Sequence, residues 1–256
     1  MHHIFISDKN NDIRRHHIEN ETKKLGITPN FYDAIMARDL SKEELSTLTI
    51  PNTFLTPGEI CCAKSHLQRG GVKRLLESNQ EYIFIFEDDI LFSDNFTPEV
   101  INEITNFISS LQNPSILVLF NSIYKKKKVK DLNSAISIFS AHNLFYACGY
   151  VINRQAAENI LNIQTPIKFE IDAFKFYYWL DACDLYCLNT DLVKPAPEIS
   201  NLSEIDCDNP RKYTKQRTIK KNNAYRLLYN QLSWQNKLKA NIKRIQKMLH
   251  KPFEKL

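Results

Sequence analysis

The chain has 256 residues, of which 43% are hydrophobic and 25% charged, with a formal net charge of +5. That length suits one large α/β domain or two small ones, and the balance is that of a globular protein with a packed core. No apolar run reaches the roughly 18–20 residues that span a bilayer, which excludes a transmembrane helix.

The opening Met1-His2-His3-Ile4-Phe5-Ile6 has no basic stretch leading into an apolar segment, and Asp8 follows closely. The sequence therefore predicts no secretory signal and a cytoplasmic protein. Residues 3–7 read as a short buried strand ending in polar Ser7-Asp8-Lys9-Asn10. Residues 12–25 follow as a helix, with Ile13, His17, Ile18 and Leu25 roughly on one face. Residues 29–35 supply a second strand, and a strand–helix–strand opening begins a parallel α/β sheet.

Thr56-Pro57-Gly58-Glu59 is a helix start: Thr56 caps, Pro57 suits the first position and Glu59 closes a capping box. This helix is expected to reach about residue 76, weakened by Gly70-Gly71. Residues 81–86 then read as a strand buried on both faces, as central parallel strands are. It runs directly into Glu87-Asp88-Asp89. Further strands are expected over 116–120 and 145–152, with helices over 98–111, 154–161 and 171–180. The lysine-rich residues 125–130 form a basic loop or hairpin.

Charge is distributed unevenly. Residues 211–256 hold 14 Lys and Arg against the single acid Glu254, a net +13, and residues 1–210 carry −8. The chain thus divides into a body, 1–210, and a basic tail, 211–256. Leu228, Leu232, Leu238, Ile242, Ile245 and Leu249 recur at helical spacing, with Tyr225, Tyr229 and Trp234 nearby. A basic amphipathic helix with aromatics suits an anionic membrane surface, although docking on the acidic body or dimerisation fits the same pattern. No nucleic-acid-binding motif accompanies the charge, and nucleic acid is not expected as a partner. The six cysteines include no CxxC pair and read as core thiols.

Three consecutive acids at the end of a buried strand are costly without a cation, and open α/β sheets bind ligands at the carboxyl ends of their strands. Alternation aims Glu87 and Asp89 the same way. Their oxygens suit Mn²⁺ or Mg²⁺ held together with a diphosphate; a solvated acidic turn is the other reading. Arg14 and Arg15 follow the first strand, within reach of phosphate.

Four segments stand out: Ile4-Phe5-Ile6-Ser7 with Asp12 and Arg14-Arg15; Thr56-Pro57-Gly58-Glu59-Ile60 with Cys62, Ser65 and His66; Ile85-Phe86-Glu87-Asp88-Asp89; and Gly149-Tyr150-Val151-Ile152 through Ala156-Ala157, followed by Asp172. Together they resemble glycosyltransferase family 25, the lipooligosaccharide galactosyltransferase family. Ser7-Asp8 stands where the family often has Asn-Leu, and Cys61 replaces a usual glycine.

The resemblance implies a GT-A-like fold with a Rossmann-type, mostly parallel central sheet flanked by helices, here followed by the basic helical tail. It implies a UDP-sugar donor, most often UDP-galactose, a lipooligosaccharide or lipopolysaccharide core acceptor, and an inverting, metal-assisted transfer; the basic tail, in turn, predicts a cytoplasmic protein held peripherally on the inner membrane. Glu87 and Asp89 would hold the divalent ion. Ser7, Arg14, Arg15, His66 and Asp88 would bind the donor, with Asp88 at the ribose or supporting the metal ligands. Asp172 matches a family position and is the candidate general base, with Asp181 and Asp184 as alternatives. Another nucleotide sugar, such as UDP-glucose or an N-acetylhexosamine, is an alternative donor. A metal-dependent nucleotidyltransferase shares the acidic site but wants a Gly-rich loop that residues 7–11 lack, and a non-catalytic membrane adaptor is the non-enzyme alternative.

Overall fold

The computed structural model describes residues 1–68, 71–200 and 215–249. Strand β1 (His3–Ser7) is buried from Ile4 onward. Helix α1 (Asp12–Lys24) starts at Asn11, whose side chain accepts the Arg14 amide N–H. The chain returns as β2 (Phe31–Asp33), shorter than the expected strand, and then forms α2 (Lys42–Leu48) behind a Ser41–Glu44 capping box. Helix α3 (Pro57–Leu67) has the capping box read from the sequence, with Thr56 and Glu59 exchanging both bonds. It does not run on to residue 76. A second helix, α4 (Val72–Leu76), begins after Gly71, where a Cβ would lie 2.3 Å from the His66 carbonyl oxygen. Only glycine allows that approach.

Strand β3 (Tyr82–Glu87) is followed by the short β4 (Ile90–Phe92), α5 (Pro98–Ser110) and β5 (Ser115–Asn121). The lysine-rich segment is β6 (Lys125–Asp131), in a hairpin with β7 (Ser137–Ala141). As the last strand of its sheet, β6 is a place where lysines discourage edge-to-edge pairing. Strand β8 (Gly149–Asn153) begins later than expected, and α6 (Arg154–Ile163), α7 (Phe174–Trp179), β9 (Asp184–Leu188), β10 (Val193–Pro195) and α8 (Pro197–Ser200) complete the body. Beyond it lie α9 (Lys215–Gln231) and α10 (Trp234–Leu249).

The main sheet has the order β2-β1-β3-β8-β5-β9-β7-β6, and β10 pairs with β4 in a separate ribbon. Within the main sheet β8 and β7 run against the other strands, so the sheet is mostly of one direction, as expected. Helices cover both faces, and β3 shows why its sequence is continuously apolar. Ile83 and Ile85 enter the core beneath α3, α4 and α6, whereas Phe84 and Phe86 enter the core beneath α5. The same alternation parts Glu87 from Asp88.

Candidate active site

Register brings the first elements of the site together. In the parallel β1–β3 pair Ile6 lies opposite Glu87, so Ser7 and Asp88 follow side by side at the carboxyl ends of two adjacent strands. Asp88 is buried, and Arg14 Nη1 donates to its Oδ1 at 2.5 Å. Arg14 Nη2 also lies 3.5 Å from Asp89 Oδ2 and donates to the Ile199 carbonyl oxygen at 3.3 Å. Burial pushes the Asp88 carboxyl above its ordinary pKa, against the pull of Arg14 and of a hydrogen bond from Ser7. The Asp89 backbone is fixed as well, its carbonyl oxygen accepting the Ala196 N–H at 2.7 Å. Ser7, Arg14 and Asp88 thus form one cluster.

Arg15 turns to the neighbouring strand. It pairs with Asp33 at the end of β2, donates to the Ser7 carbonyl oxygen at 3.4 Å, and lies over the Phe31 ring. Arg38, in a 3-10 turn over Ala37–Asp39, pairs with Asp8 and holds its carboxyl below the usual range, although burial acts first and in the other direction. Sequence reading left Asp8, Asp33 and Arg38 without roles. Their pairing depends on strand order, which no local pattern supplies.

On the opposite face of β3, His66 of α3 is buried, with Nε2 3.4 Å from Glu87 Oε1 and Nδ1 3.1 Å from the Tyr150 hydroxyl. Glu87 therefore sits with His66 and Asp89 with Arg14, which corrects the expectation that alternation aims both acids the same way: β3 ends at Glu87, and Asp89 lies beyond the strand. Cys62, one helical turn before His66, is only partly buried, whereas Cys61, Cys148, Cys183 and Cys187 are buried thiols. Burial, followed by the nearby Asp39 charge, pushes Cys61 up to about 11.

Asp172 lies at the same end of the sheet. Its Oδ2 accepts the N–H of Tyr146 at 3.3 Å, three residues before β8, and Tyr146 is exposed with φ 65°. Asp181 and Asp184 do not share that end. Asp184 begins β9, beside the start of β5, and its N–H donates to the Pro114 carbonyl oxygen at 2.7 Å. Asp181 is paired with Lys243 at 2.6 Å and Lys239 at 3.2 Å.

Those lysines belong to the tail, which docks on the body. Arg217 Nη2 lies 2.6 Å from Glu59 and 2.9 Å from Glu170, Lys221 lies 2.8 Å from Glu170, and Tyr225 is buried among Phe176 and Trp179. The single apolar stripe expected across the tail is split. Ser233 caps α10, accepting the Asn236 N–H, and the direction of the chain changes between the helices. Leu228 and Leu232 pack on the core, whereas Trp234, Leu238, Ile242, Ile245 and Met248 of α10 are exposed. Lys243, partly buried, lies over the Tyr178 ring, and Arg244, itself exposed, lies over the Trp179 ring. The expectation that the tail offers its basic face to a membrane is thus revised for these residues: acidic and aromatic groups of the body have claimed them. The boundary at 210/211 lies outside the described residues. No helix among the described residues is long and apolar enough to cross a membrane.

A family model described as glycosyltransferase family 25 (LPS biosynthesis protein) matches residues 1–175. The lipooligosaccharide biosynthesis protein lic2B of Haemophilus influenzae is 29% identical over 159 residues, covering 57% of this chain and 57% of that protein. A second Haemophilus influenzae protein, described provisionally as a glycosyltransferase, is 38% identical over 100 residues, covering 37% of this chain and 34% of that one. The chain thus matches little more than half the length of one curated relative and a third of the other. Among solved structures, apo UDP-glucose pyrophosphorylase aligns at 8% identity and a TM-score of 0.36, covering 90% of this chain and 81% of that one. With a family model matching residues 1–175 of its 256, the chain belongs to glycosyltransferase family 25.

Proposed function

We propose that this protein transfers a hexose, galactose in the leading reading, from a UDP-sugar to the core of a lipooligosaccharide, with inversion and with help from a divalent ion. The observation that carries the reading is the Ser7–Arg14–Asp88 cluster beside Glu87 and Asp89, at the carboxyl ends of β1 and β3, in a chain of this family. That is where open α/β sheets receive nucleotides.

Glu87 and Asp89 supply oxygen donors of the kind Mn²⁺ and Mg²⁺ prefer, and both side chains are more open to solvent than Asp88. They would hold an ion that offsets the negative charge developing on the departing diphosphate. Arg14 keeps Asp88 in place and retains a buried Nε–H without an acceptor, a donor suited to a phosphate oxygen. Asp172, at the same end of the sheet, would take the acceptor hydroxyl's proton as the sugar bond forms. The exposed Phe145 and Tyr146 beside it suit the apolar face of an acceptor sugar. The exposed apolar residues of α10, Leu238, Ile242 and Ile245 among them, would rest on a membrane leaflet and hold the enzyme near a lipid-linked acceptor.

Release of UDP from a panel of UDP-sugars, with a lipooligosaccharide core acceptor and with and without Mn²⁺, tests the reading. Metal-stimulated release confined to one donor supports it. Pyrophosphate formation from a nucleoside triphosphate and a sugar phosphate would replace it with nucleotidyl transfer.

A further inference from the structure

Cys62 and His66 stand four residues apart on α3, a spacing that sets two side chains on one helix face. The Cys62 sulfur, a His66 ring nitrogen and a Glu87 carboxylate oxygen all lie within 4.8 Å of one another. Tetrahedral ligation at bonds of roughly 2.0–2.3 Å separates ligand atoms by about 3.5 Å. The His66–Glu87 distance is already 3.4 Å. Cys62 and Glu87 are both partly exposed, so modest side-chain rotation closes the remaining gap.

The surroundings support ligation. His66 Nδ1 is 3.1 Å from the Tyr150 hydroxyl, and both residues are buried. When Nδ1–H donates to that oxygen, Nε2 presents its lone pair on the Glu87 side, the arrangement that fixes ring orientation in metal-binding histidines. Cys61, one position earlier, is buried whereas Cys62 is partly exposed, so the accessible sulfur of this pair is Cys62.

We propose that Cys62, His66 and Glu87 form a binding site for a borderline-soft divalent ion of the Zn²⁺ or Co²⁺ class, held by the protein without nucleotide. A thiolate and an imidazole favour such ions over Mg²⁺. On binding, the Cys62 thiol releases its proton to solvent as the sulfur–metal bond forms. Three protein ligands leave a fourth position for water or a substrate oxygen. The site shares Glu87 with the proposed transfer chemistry but stands apart from it, since neither a sugar donor nor Asp89 is needed to fill it.

Metal-free full-length protein is titrated with Co²⁺ in the absence of nucleotide. The expected result is a sulfur-to-cobalt charge-transfer band in the near ultraviolet that saturates at one equivalent, is displaced by Zn²⁺ and is unaffected by excess Mg²⁺. Cys62→Ser, shown folded by circular dichroism, should lose the band. Tyr150→Phe should keep it with affinity reduced by about tenfold. Asp89→Asn should keep it unchanged, and this variant separates the site from the transfer reading, which predicts lost turnover there. Absence of the band from folded wild-type protein, or its persistence in Cys62→Ser, overturns the proposal and leaves the donor reading to its own test.

Discussion

Arg14 on α1 donates to Asp88 beyond β3 at 2.5 Å, joining residues 74 positions apart in sequence. Both side chains are largely withdrawn from solvent, so neither is readily rehydrated if the other is removed. Arg14→Ala should cost about 3–5 kcal/mol, the range for breaking a buried pair from one side, read as a lower urea midpoint. A loss typical of exposed pairs, below about 1 kcal/mol, would show that solvent already reaches Asp88. The same variant should weaken UDP binding.

Asp89 lies at the edge of this cluster, with its backbone held by Ala196. Asp89→Ala should reduce turnover a hundredfold or more, about 3 kcal/mol of transition-state stabilisation. EDTA should reduce the wild-type rate comparably and add little to the variant's loss. Full activity of the variant in EDTA would end the metal-assisted reading.

Asp172→Asn preserves shape and the contact to the Tyr146 N–H while removing a proton acceptor. The transfer rate should fall with UDP affinity nearly unchanged, the pattern of an interaction made in the transition state. Calorimetric titration with UDP beside single-turnover kinetics separates the two quantities. Unchanged transfer would remove Asp172 as the base.

Tail docking should depend on acidity. Burial acts on Glu170 first and in the raising direction, but Lys221 and Arg217 outweigh it and hold the carboxyl below its ordinary pKa; Lys243 and Lys239 do the same for Asp181. A carboxylate depressed in the folded state stabilises fully above its unfolded pKa of about 4, and that contribution fades as pH falls through the folded value. Protection of α9 and α10 amides, taken relative to the intrinsic exchange rate at each pH, should therefore be high at neutral pH and fall below about pH 4. Arg217→Ala should lower it at neutral pH, since Glu59 and Glu170 lose a shared partner. Protection insensitive to both changes would mean that apolar packing around Tyr225 alone holds the tail.

The membrane reading now rests on the exposed apolar face of α10. Exchanging Leu238 and Ile245 for serine should reduce binding to anionic vesicles while leaving transfer to a soluble acceptor intact. Salt should weaken the remaining attraction, because exposed charges lose reach beyond about 10 Å at 0.1 M. Equal vesicle binding by the double variant would reject the reading.

Local patterns determined much of this architecture. The run from Tyr82 to Phe86 required a strand covered on both faces, Thr56 and Glu59 required a helix start, and the acids after that strand marked the carboxyl end of a sheet. These features act over a few residues, where alternation and capping suffice. The interruption at Gly71 was visible as a weakness, but its cause is a contact with the His66 carbonyl oxygen. Partner choice was decided only in three dimensions. Strand order placed Arg14 on Asp88 and Arg15 on Asp33, although adjacent arginines looked equivalent in sequence. The end of β3 at Glu87 left that side chain with His66, while the turn beyond the strand brought Asp89 toward Arg14. The tail's basic residues read first as membrane-binding, with docking on the acidic body as the alternative, since charge composition carries no direction. Docking settled their orientation, because Glu59, Glu170 and Asp181 come together with Arg217 and Lys243 only after the sheet has formed.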